Sequence, residues 1–302
     1  MESGSEEGGG FRSGFVGMVG RPNVGKSTLL NQFARRKVAI VSDKPQTTRN
    51  RIRCVVDMQG AQVVFIDTPG FHKPRNALGE RLNRQVRETL SDVDVVLFVL
   101  DGTQTIGRGD LFIAGQLAEL ATPVVAALNK IDRLSPQEVD AQLSVAENLG
   151  DFREVLPVSA RTGENVHALL ELVSGMLPPG PRYYPEGVVT DQPAAFIVAE
   201  LVREKALQLT REEVPHSVTV QVEEMAKEEE QGILHIRAEI YVERDSQKGI
   251  IIGKGGRMLK EIGSLARGEI ERLLGERVFL ELHVKVEKDW TRRPGAITRL
   301  GL

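Results

Sequence analysis

The sequence predicts an α/β fold: a doubly wound, mostly parallel sheet followed by a smaller α+β domain. Three observations carry that expectation. From residue 15 to about 176, short apolar runs alternate with helix-like segments, the order that builds a parallel sheet with helices on both faces. Five prolines between residues 177 and 193 then interrupt the pattern, as a semi-rigid linker does. Beyond them apolar residues recur at every second position, as in half-exposed strands. A chain of 302 residues exceeds a usual single domain, and 41% apolar with 27% charged residues is ordinary for globular protein.

Taken in order, residues 1–14 are acidic and glycine-rich and predict a disordered tail; they lack the basic start and apolar core of a targeting peptide. Residues 15–177 predict the first domain, with buried strands in "FVGMVG", "QVVFIDTPG", "DVVLFVLDG", "TPVVAALNK" and "EVLPVSA", and a more polar additional strand in "IRCVVDM". Residues 178–190 predict the linker, 191–288 the second domain and 289–302 a C-terminal tail. In the second domain Ala194, Ile197, Val198, Leu201 and Val202 form a helical stripe. Val218, Val220 and Val222 then alternate with polar neighbours, as do Leu234 to Val242 and Val278 to Val286. The order helix, strand, strand, helix, loop, helix, strand predicts a three-stranded sheet backed by helices on one face. The acidic "EEMAKEEEQG" reads as a solvated turn between the first two strands, and Met258, Ile262, Leu265 and Ile270 fall on or near one face of the helix after the loop.

The net charge of -3 argues against a uniformly basic nucleic-acid binder. From Arg244 to Leu302, however, thirteen basic residues oppose eight acidic ones, so the basic excess sits at the C-terminal end. A single cysteine, Cys54, excludes a disulfide framework and a thiolate cluster, and predicts a buried structural thiol in a reducing compartment. No run approaches the roughly 18 apolar residues that span a bilayer. The histidines, at 72, 167, 216, 235 and 283, lack metal-ligand spacing, and no serine triad or paired-carboxylate motif stands out.

Gly20, Arg21, Pro22, Asn23, Val24, Gly25, Lys26 and Ser27, followed by Thr28, match G-x-x-x-x-G-K-[ST] between an apolar strand and a helix. In that setting backbone N–H groups cradle phosphates, Lys26 neutralises the β- and γ-oxygens, and the Ser27 hydroxyl ligates Mg2+. Asp67, Thr68, Pro69 and Gly70 end another strand, where the aspartate can hold the magnesium shell and the glycine amide can meet a γ-phosphate. Asn129, Lys130, Ile131 and Asp132 end a further strand and select the base. A carboxylate pairs with guanine N1–H and N2–H, whereas adenine would leave it unpaired, so GTP and GDP are the expected ligands. Asn129 braces the loop and the purine edge, Lys130 lies over the ring, and Ser159, Ala160 and Arg161 offer an amide to guanine O6.

A second glycine loop, Gly253, Lys254, Gly255 and Gly256, lacks that spacing and is too short to wrap a triphosphate. A G-x-x-G turn between helices can instead clamp the backbone of four nucleotides of RNA or single-stranded DNA. Lys248, Lys254, Arg257 and Lys260 would meet phosphates, and Ile250, Ile251 and Ile252 would supply an apolar groove, some of them being core. Trp290, in the basic "EKDWTRRPGAITRLGL", either stacks a base or packs on the sheet.

Residues 15–176 resemble the translation-factor-related small GTPases of the P-loop class, and residues 191–288 resemble a type II KH domain. Together they look like a family of bacterial ribosome-assembly GTPases. That resemblance implies GTP hydrolysis and binding near the 3' end of small-subunit ribosomal RNA. It also implies a cytoplasmic location with some peripheral membrane association, and favours a monomer. It makes "KPQTTR", 44–49, a switch segment in which Thr48, ahead of Thr47, reaches Mg2+ and the γ-phosphate. Phe71 stands where related enzymes place a water-orienting glutamine, so slow intrinsic hydrolysis is expected. In relatives with an apolar residue there, an asparagine at the position of Asn23 helps hold K+. Lys26, Asn23, Thr48 and Gly70 are thus the expected catalytic set. The alternative is an RNA-binding assembly factor that uses GTP as a structural ligand.

Overall fold

The computed structural model describes residues 10–44, 47–71, 74, 76–228 and 232–302. Contacts divide the chain into two units. One holds the described residues of 1–39, 51–71 and 85–191, the other those of 40–50, 72–84 and 192–302. The expected first domain is therefore not continuous: the switch segment and the stretch ahead of residue 85 group with the C-terminal half.

In the first unit the chain runs β1 (Arg12–Val19), α1 (Lys26–Ala34), β2 (Ile52–Met58), β3 (Ala61–Asp67), α2 (Ala77–Ser91), β4 (Val95–Asp101), α3 (Arg108–Ala118), β5 (Val124–Asn129), α4 (Pro136–Glu147), β6 (Glu154–Val158) and α5 (Val166–Gly175); the first turns of α2 belong to the second unit. The sheet order is β2-β3-β1-β4-β5-β6, and every pairing is parallel except the antiparallel β2–β3 edge. Strands β3, β4 and β5 are buried along their whole length, which is why they read as runs and not as alternations. Helix α4 begins with a reciprocal cap: the Ser135 hydroxyl accepts from the Glu138 N–H, and the Glu138 carboxylate accepts from the Ser135 N–H at 2.7 Å. Strand β1 starts at Arg12, inside the expected tail, whose residues 1–9 lie outside the described residues.

The expected linker, 178–190, is a strap on this unit. Gln62 donates to Tyr184 O at 2.9 Å and accepts from the N–H groups of Tyr183 and Tyr184. Val55 N–H bonds Val189 O at 2.8 Å on the edge of β2. The proline-rich sequence fixes an extended backbone, and the β2–β3 hairpin supplies its partners.

The second unit runs α6 (Ala194–Leu209), α7 (Val214–Ser217), β7 (Thr219–Glu228), β8 (Ile233–Val242), α8 (Asp245–Ile252), α9 (Arg257–Leu274), β9 (Arg277–Val286) and α10 (Pro294–Arg299). Strand β8 lies between antiparallel β7 and parallel β9. Its core joins Val198, Val202 and Ala206 of α6 to Ile236 and Ile240 of β8 and to Ile262 and Ile270 of α9. Leu265 is 47% exposed and is not part of that face.

Two further expectations are corrected here. Most of "EEMAKEEEQG" is strand, since β7 continues to Glu228. The register slips between Val222 and Glu224, so the period-two pattern changes phase and Met225 packs inward beside Ile236. Residues 229–231 lie outside the described residues. The tail after 288 is folded, with Trp290, Ile297, Leu300 and Leu302 buried against Leu78 and Leu82 of α2.

Candidate functional site

The phosphate loop sits where β1 ends, beside the point at which strand order reverses, the usual crevice for ligands in such sheets. Its glycines are fixed by their surroundings. A Cβ on Gly20, at φ 153°, would strike Val99 O, and one on Gly25, at φ 103°, would strike the Asn129 amide. At Gly70 it would fall 2.8 Å from Pro22 N. Buried Lys26 turns its Nζ to Gly20 O and Arg21 O at 3.4 and 3.3 Å. Burial lowers its pKa from the ordinary 10.5, and the Asp67 carboxylate pulls it partly back. The Arg21 guanidinium is engaged with Asp110 at 2.8 Å and Gln104 at 3.0 Å, so this arginine ties the loop to α3.

Ser27 Oγ donates to Asp67 Oδ2 at 2.6 Å, placing two oxygen donors side by side. That donor set fits a hard divalent cation such as Mg2+. Thr68 is buried with its hydroxyl on Met18 O at 2.7 Å, leaving only its backbone for a ligand. Phe71 is also buried, packed with Val19 and Val86 and edge-on to Phe112.

The base-selecting loops are cross-braced. Asn129 Nδ2 donates to Val24 O at 2.8 Å, and its Oδ1 accepts from the Ala160 N–H at 2.9 Å. Lys130, at φ 72°, spans Asn23 O at 2.7 Å and Asp101 Oδ2 at 2.6 Å. Exposed Asp132 accepts from Ser159 Oγ at 2.6 Å. The Ser159 amide bonds Glu164 O, so among the described residues the Arg161 N–H is the one of these three amides left to meet a base. Asp101 was not singled out from sequence, though its place at the end of β4 in "FVLDG" was the available signal.

The second glycine loop links α8 to α9 with Gly253, Gly255 and Gly256 at φ 70°, 63° and 77°. Gly253 is confined, since a Cβ there would fall 2.7 Å from Met258 Cβ, whereas nothing lies within 4 Å of one at Gly255 or Gly256. Lys254, Arg257 and Lys260 are exposed and Lys248 is half-buried. Of the three isoleucines, Ile250 is 46% exposed, Ile252 is half-buried and Ile251 is 0% exposed. Ile251 is therefore a core residue, and its expected contact with a base is corrected: no surface of it remains to touch one. A groove of about 460 Å³ runs from Gly256 between α9, with Leu259, Lys260 and Arg267, and β9, with Phe279, Leu280 and Leu282. Phe279, 55% exposed at an outward strand position, was the aromatic signal that sequence reasoning missed.

A family model described as "50S ribosome-binding GTPase" matches residues 15–130, and a KH domain model matches residues 213–291. A tyrosine-to-alanine variant of Aquifex aeolicus Era, bound to GDP and AlF4-, is 41% identical, with 96% of this chain and 99% of that chain covered and a TM-score of 0.93. The same figures hold for Era in complex with MgGDPNP and nucleotides 1506–1542 of 16S ribosomal RNA.

The chain belongs to the Era family of GTPases.

As an Era-family GTPase, it holds the switch segment, 44–49, in its second unit. Arg49 is buried and donates to Val218 O at 2.7 Å and His216 O at 2.8 Å, with its guanidinium 5.5 Å from the centre of the Trp290 ring. Burial, then the nearby Arg203, pushes its pKa down to about 9 against the pull of Glu200 and Glu243. Arg203 also binds Thr47 O, and Glu204 accepts from the Val41 N–H at 2.8 Å. Thr48 is buried here, while Ser27 and Asp67 belong to the other unit; Pro45 and Gln46 of the expected switch motif lie outside the described residues. Trp290 Nε1 donates to Ser217 O at 2.8 Å, and the ring joins the Leu78–Leu82 cluster, so it packs as core and stacks no base. Among the described residues no group of three or more histidine, cysteine or acidic side chains could hold a metal, and no helix is long and apolar enough to cross a membrane.

Proposed function

We propose that this GTPase uses its nucleotide state to control binding of small-subunit ribosomal RNA near its 3' end, and so acts in small-subunit assembly. The observation that carries the reading is the joining, in one chain, of a pre-braced guanine-nucleotide cage to an open basic G-x-x-G loop. A relative of 41% identity has been seen with MgGDPNP and with such RNA.

In this reading Lys26 meets the β- and γ-phosphates, Gly70 N–H the γ-phosphate, Asp132 the guanine N–H pair, and Arg161 N–H guanine O6. Bound Mg2+, held by Ser27 and through Asp67, supplies neutralisation of phosphate charge. Thr48 is the switch threonine for that metal. Asn23 is exposed with φ 64° and would serve a K+ ion; equal hydrolysis rates in K+ and Na+ would remove that role. Buried Phe71 cannot orient water, so turnover without a partner is slow. Within the second unit Arg49 and Arg203 tie the switch segment, 44–49, to the body that carries the RNA-binding loop, which in this reading couples that loop to a segment sensing the γ-phosphate. RNA contact falls to Lys248, Ile252, Gly253, Lys254, Gly255, Gly256, Arg257 and Lys260, with Ile250 in place of Ile251. The protein acts as a cytoplasmic monomer, with any membrane contact peripheral.

The test is binding of a short RNA from the 3' end of small-subunit ribosomal RNA, at fixed salt, with GDP and with a non-hydrolysable GTP analogue. Tighter binding with the analogue is expected, and equal binding overturns the switch. The alternative, GTP as a structural ligand, draws on Phe71 and predicts turnover that RNA does not change.

A further inference from the structure

The first unit has a further concavity at the C-terminal end of α1, the end opposite the phosphate loop. A cavity of about 630 Å³ is bounded by Arg35 and Arg36 just past α1, by Met58 on the β2–β3 hairpin, by His167 and Leu170 of α5, and by Val189 of the strap. We infer that this cavity binds the phosphodiester backbone of RNA through Arg35 and Arg36, as a contact additional to the G-x-x-G loop.

The charge balance of the walls supports this. Asp57 already accepts from Arg182 at 2.6 Å, Gln62 at 3.0 Å and the Gly187 N–H at 3.0 Å. Glu171 lies 3.3 Å from His167 one helical turn away. Among the described residues neither Arg35 nor Arg36 has a side-chain hydrogen bond or ion pair, although the acids nearby are engaged with other groups. Both arginines are exposed. Arg35 sits at φ 51°, the helix-ending left-handed position where glycine is favoured and a side chain costs about 1 kcal/mol. Compensating the helix dipole would explain one cation there, at about 0.3–1 kcal/mol. It does not explain two guanidinium groups beside a cavity.

The chemistry also selects the ligand. The carbonyl end of α1 and the Glu171 carboxylate disfavour a compact, multiply charged anion such as a free triphosphate. A phosphodiester carries one charge on two oxygens and matches a guanidinium fork, which is why arginine suits it. Met58, Leu170 and Val189 give a partly apolar wall against which a ribose can lie. These side chains are recessed in the cavity wall, so they do not offer a surface for inserting into lipid.

The inference rests on the reading of the chain as an RNA-binding GTPase, and the experiment separates the two. Binding of full-length protein is measured over a range of salt, with a single-stranded RNA of about 12 nucleotides, enough for a G-x-x-G clamp, and with a transcript of the whole 3' domain of small-subunit ribosomal RNA. The double variant Arg35→Ala/Arg36→Ala should bind the long transcript about tenfold more weakly. Its log–log salt slope should be shallower by about 1.5 to 2, the release expected from two phosphates. Its short-RNA affinity and GTP hydrolysis should equal those of the unaltered protein. The Arg35→Lys/Arg36→Lys variant should keep most of the slope. An unchanged long-RNA slope, or a loss appearing instead with inorganic phosphate or with vesicles of anionic lipid, overturns the inference. Failure of the short RNA to bind either protein would count against the G-x-x-G reading, while the long-transcript slope still decides this one.

Discussion

The two glycine loops of this chain are built on opposite plans. Around Gly20–Ser27 the protein satisfies itself: Asn129, Lys130, Asp101 and Asp67 brace the loop through hydrogen bonds of 2.6 to 2.8 Å. Around Gly253–Gly256 only Gly253 is confined, and the neighbouring cations project into solvent. The first plan suits a small ligand whose every atom must be recognised, because a rigid cage loses little entropy on binding. The second suits a polymer that brings its own repeating charge, for which an open clamp suffices.

The largest test of the contrast is removal of a lysine from each loop. Lys26→Ala should weaken GTP binding about 1000-fold, since two or three charge-assisted bonds of about 1.5–3 kcal/mol each are lost from a desolvated site. Lys254→Ala should weaken RNA binding only about threefold, as expected for one screened phosphate contact. Calorimetric titration of each ligand checks both, and comparable losses would remove the distinction between cage and clamp.

Next in size is the base. Asp132→Asn replaces a double acceptor by a group that offers its own N–H to guanine N–H, and GTP affinity should fall at least about 100-fold. Xanthosine triphosphate, which carries an oxygen at that edge, should recover most of it. RNA affinity in the absence of nucleotide should not change. If guanine discrimination survives the substitution, Asp132 is not the base-reading group.

Matched glycine substitutions sharpen the comparison. Gly25→Ala meets the Asn129 amide at a φ of 103°, outside the left-handed basin, so it should loosen the brace between the phosphate and base loops and reduce GTP affinity about 30-fold. Gly255→Ala lies at φ 63° in open space and should cost about 1–2 kcal/mol, all of it backbone strain. Asparagine, which tolerates that conformation, should restore RNA binding at 255 and not GTP binding at 25. Rescue at both positions would show that strain alone, and not the Asn129 brace, governs the first loop.

What the sequence revealed and hid follows from the same physics. The cage was legible because its groups come at strand ends with fixed spacing, and a parallel sheet carries strand ends to one edge. Asp101 escaped notice because its partner, Lys130, lies past the next strand, 29 residues on, and no motif spacing links them. Strand β7 was cut short because a single bulge changed the phase of its alternation. The tail was read as basic because its arginines are local, while the burial of Trp290 depends on Ser217, Arg49 and Leu82, each far off in sequence. Which of Ile250, Ile251 and Ile252 is core was hidden for a similar reason. Adjacent positions on a helix point about 100° apart, and which of them faces the core is decided by partners that a run of identical residues does not name.

The smallest expected effect separates the loops by pH. Burial lowers the Lys26 pKa below 10.5, with Asp67 opposing, and the phosphates of bound GTP would raise it again. A group that binds its ligand in the protonated form, and whose pKa rises on binding, makes affinity fall as pH increases through the lowered value in the free protein. GTP affinity should therefore decline on the alkaline side before pH 10.5, and binding there should take up a fraction of a proton, measured by titration in buffers of different ionisation enthalpy. The cations of the second loop lie at the surface, so RNA binding measured over the same range at constant salt is the comparison. A decline of equal steepness for both ligands would place its origin in the fold as a whole and not in the desolvated lysine. A decline confined to GTP would show that the cage holds its charge at a cost which only the ligand offsets.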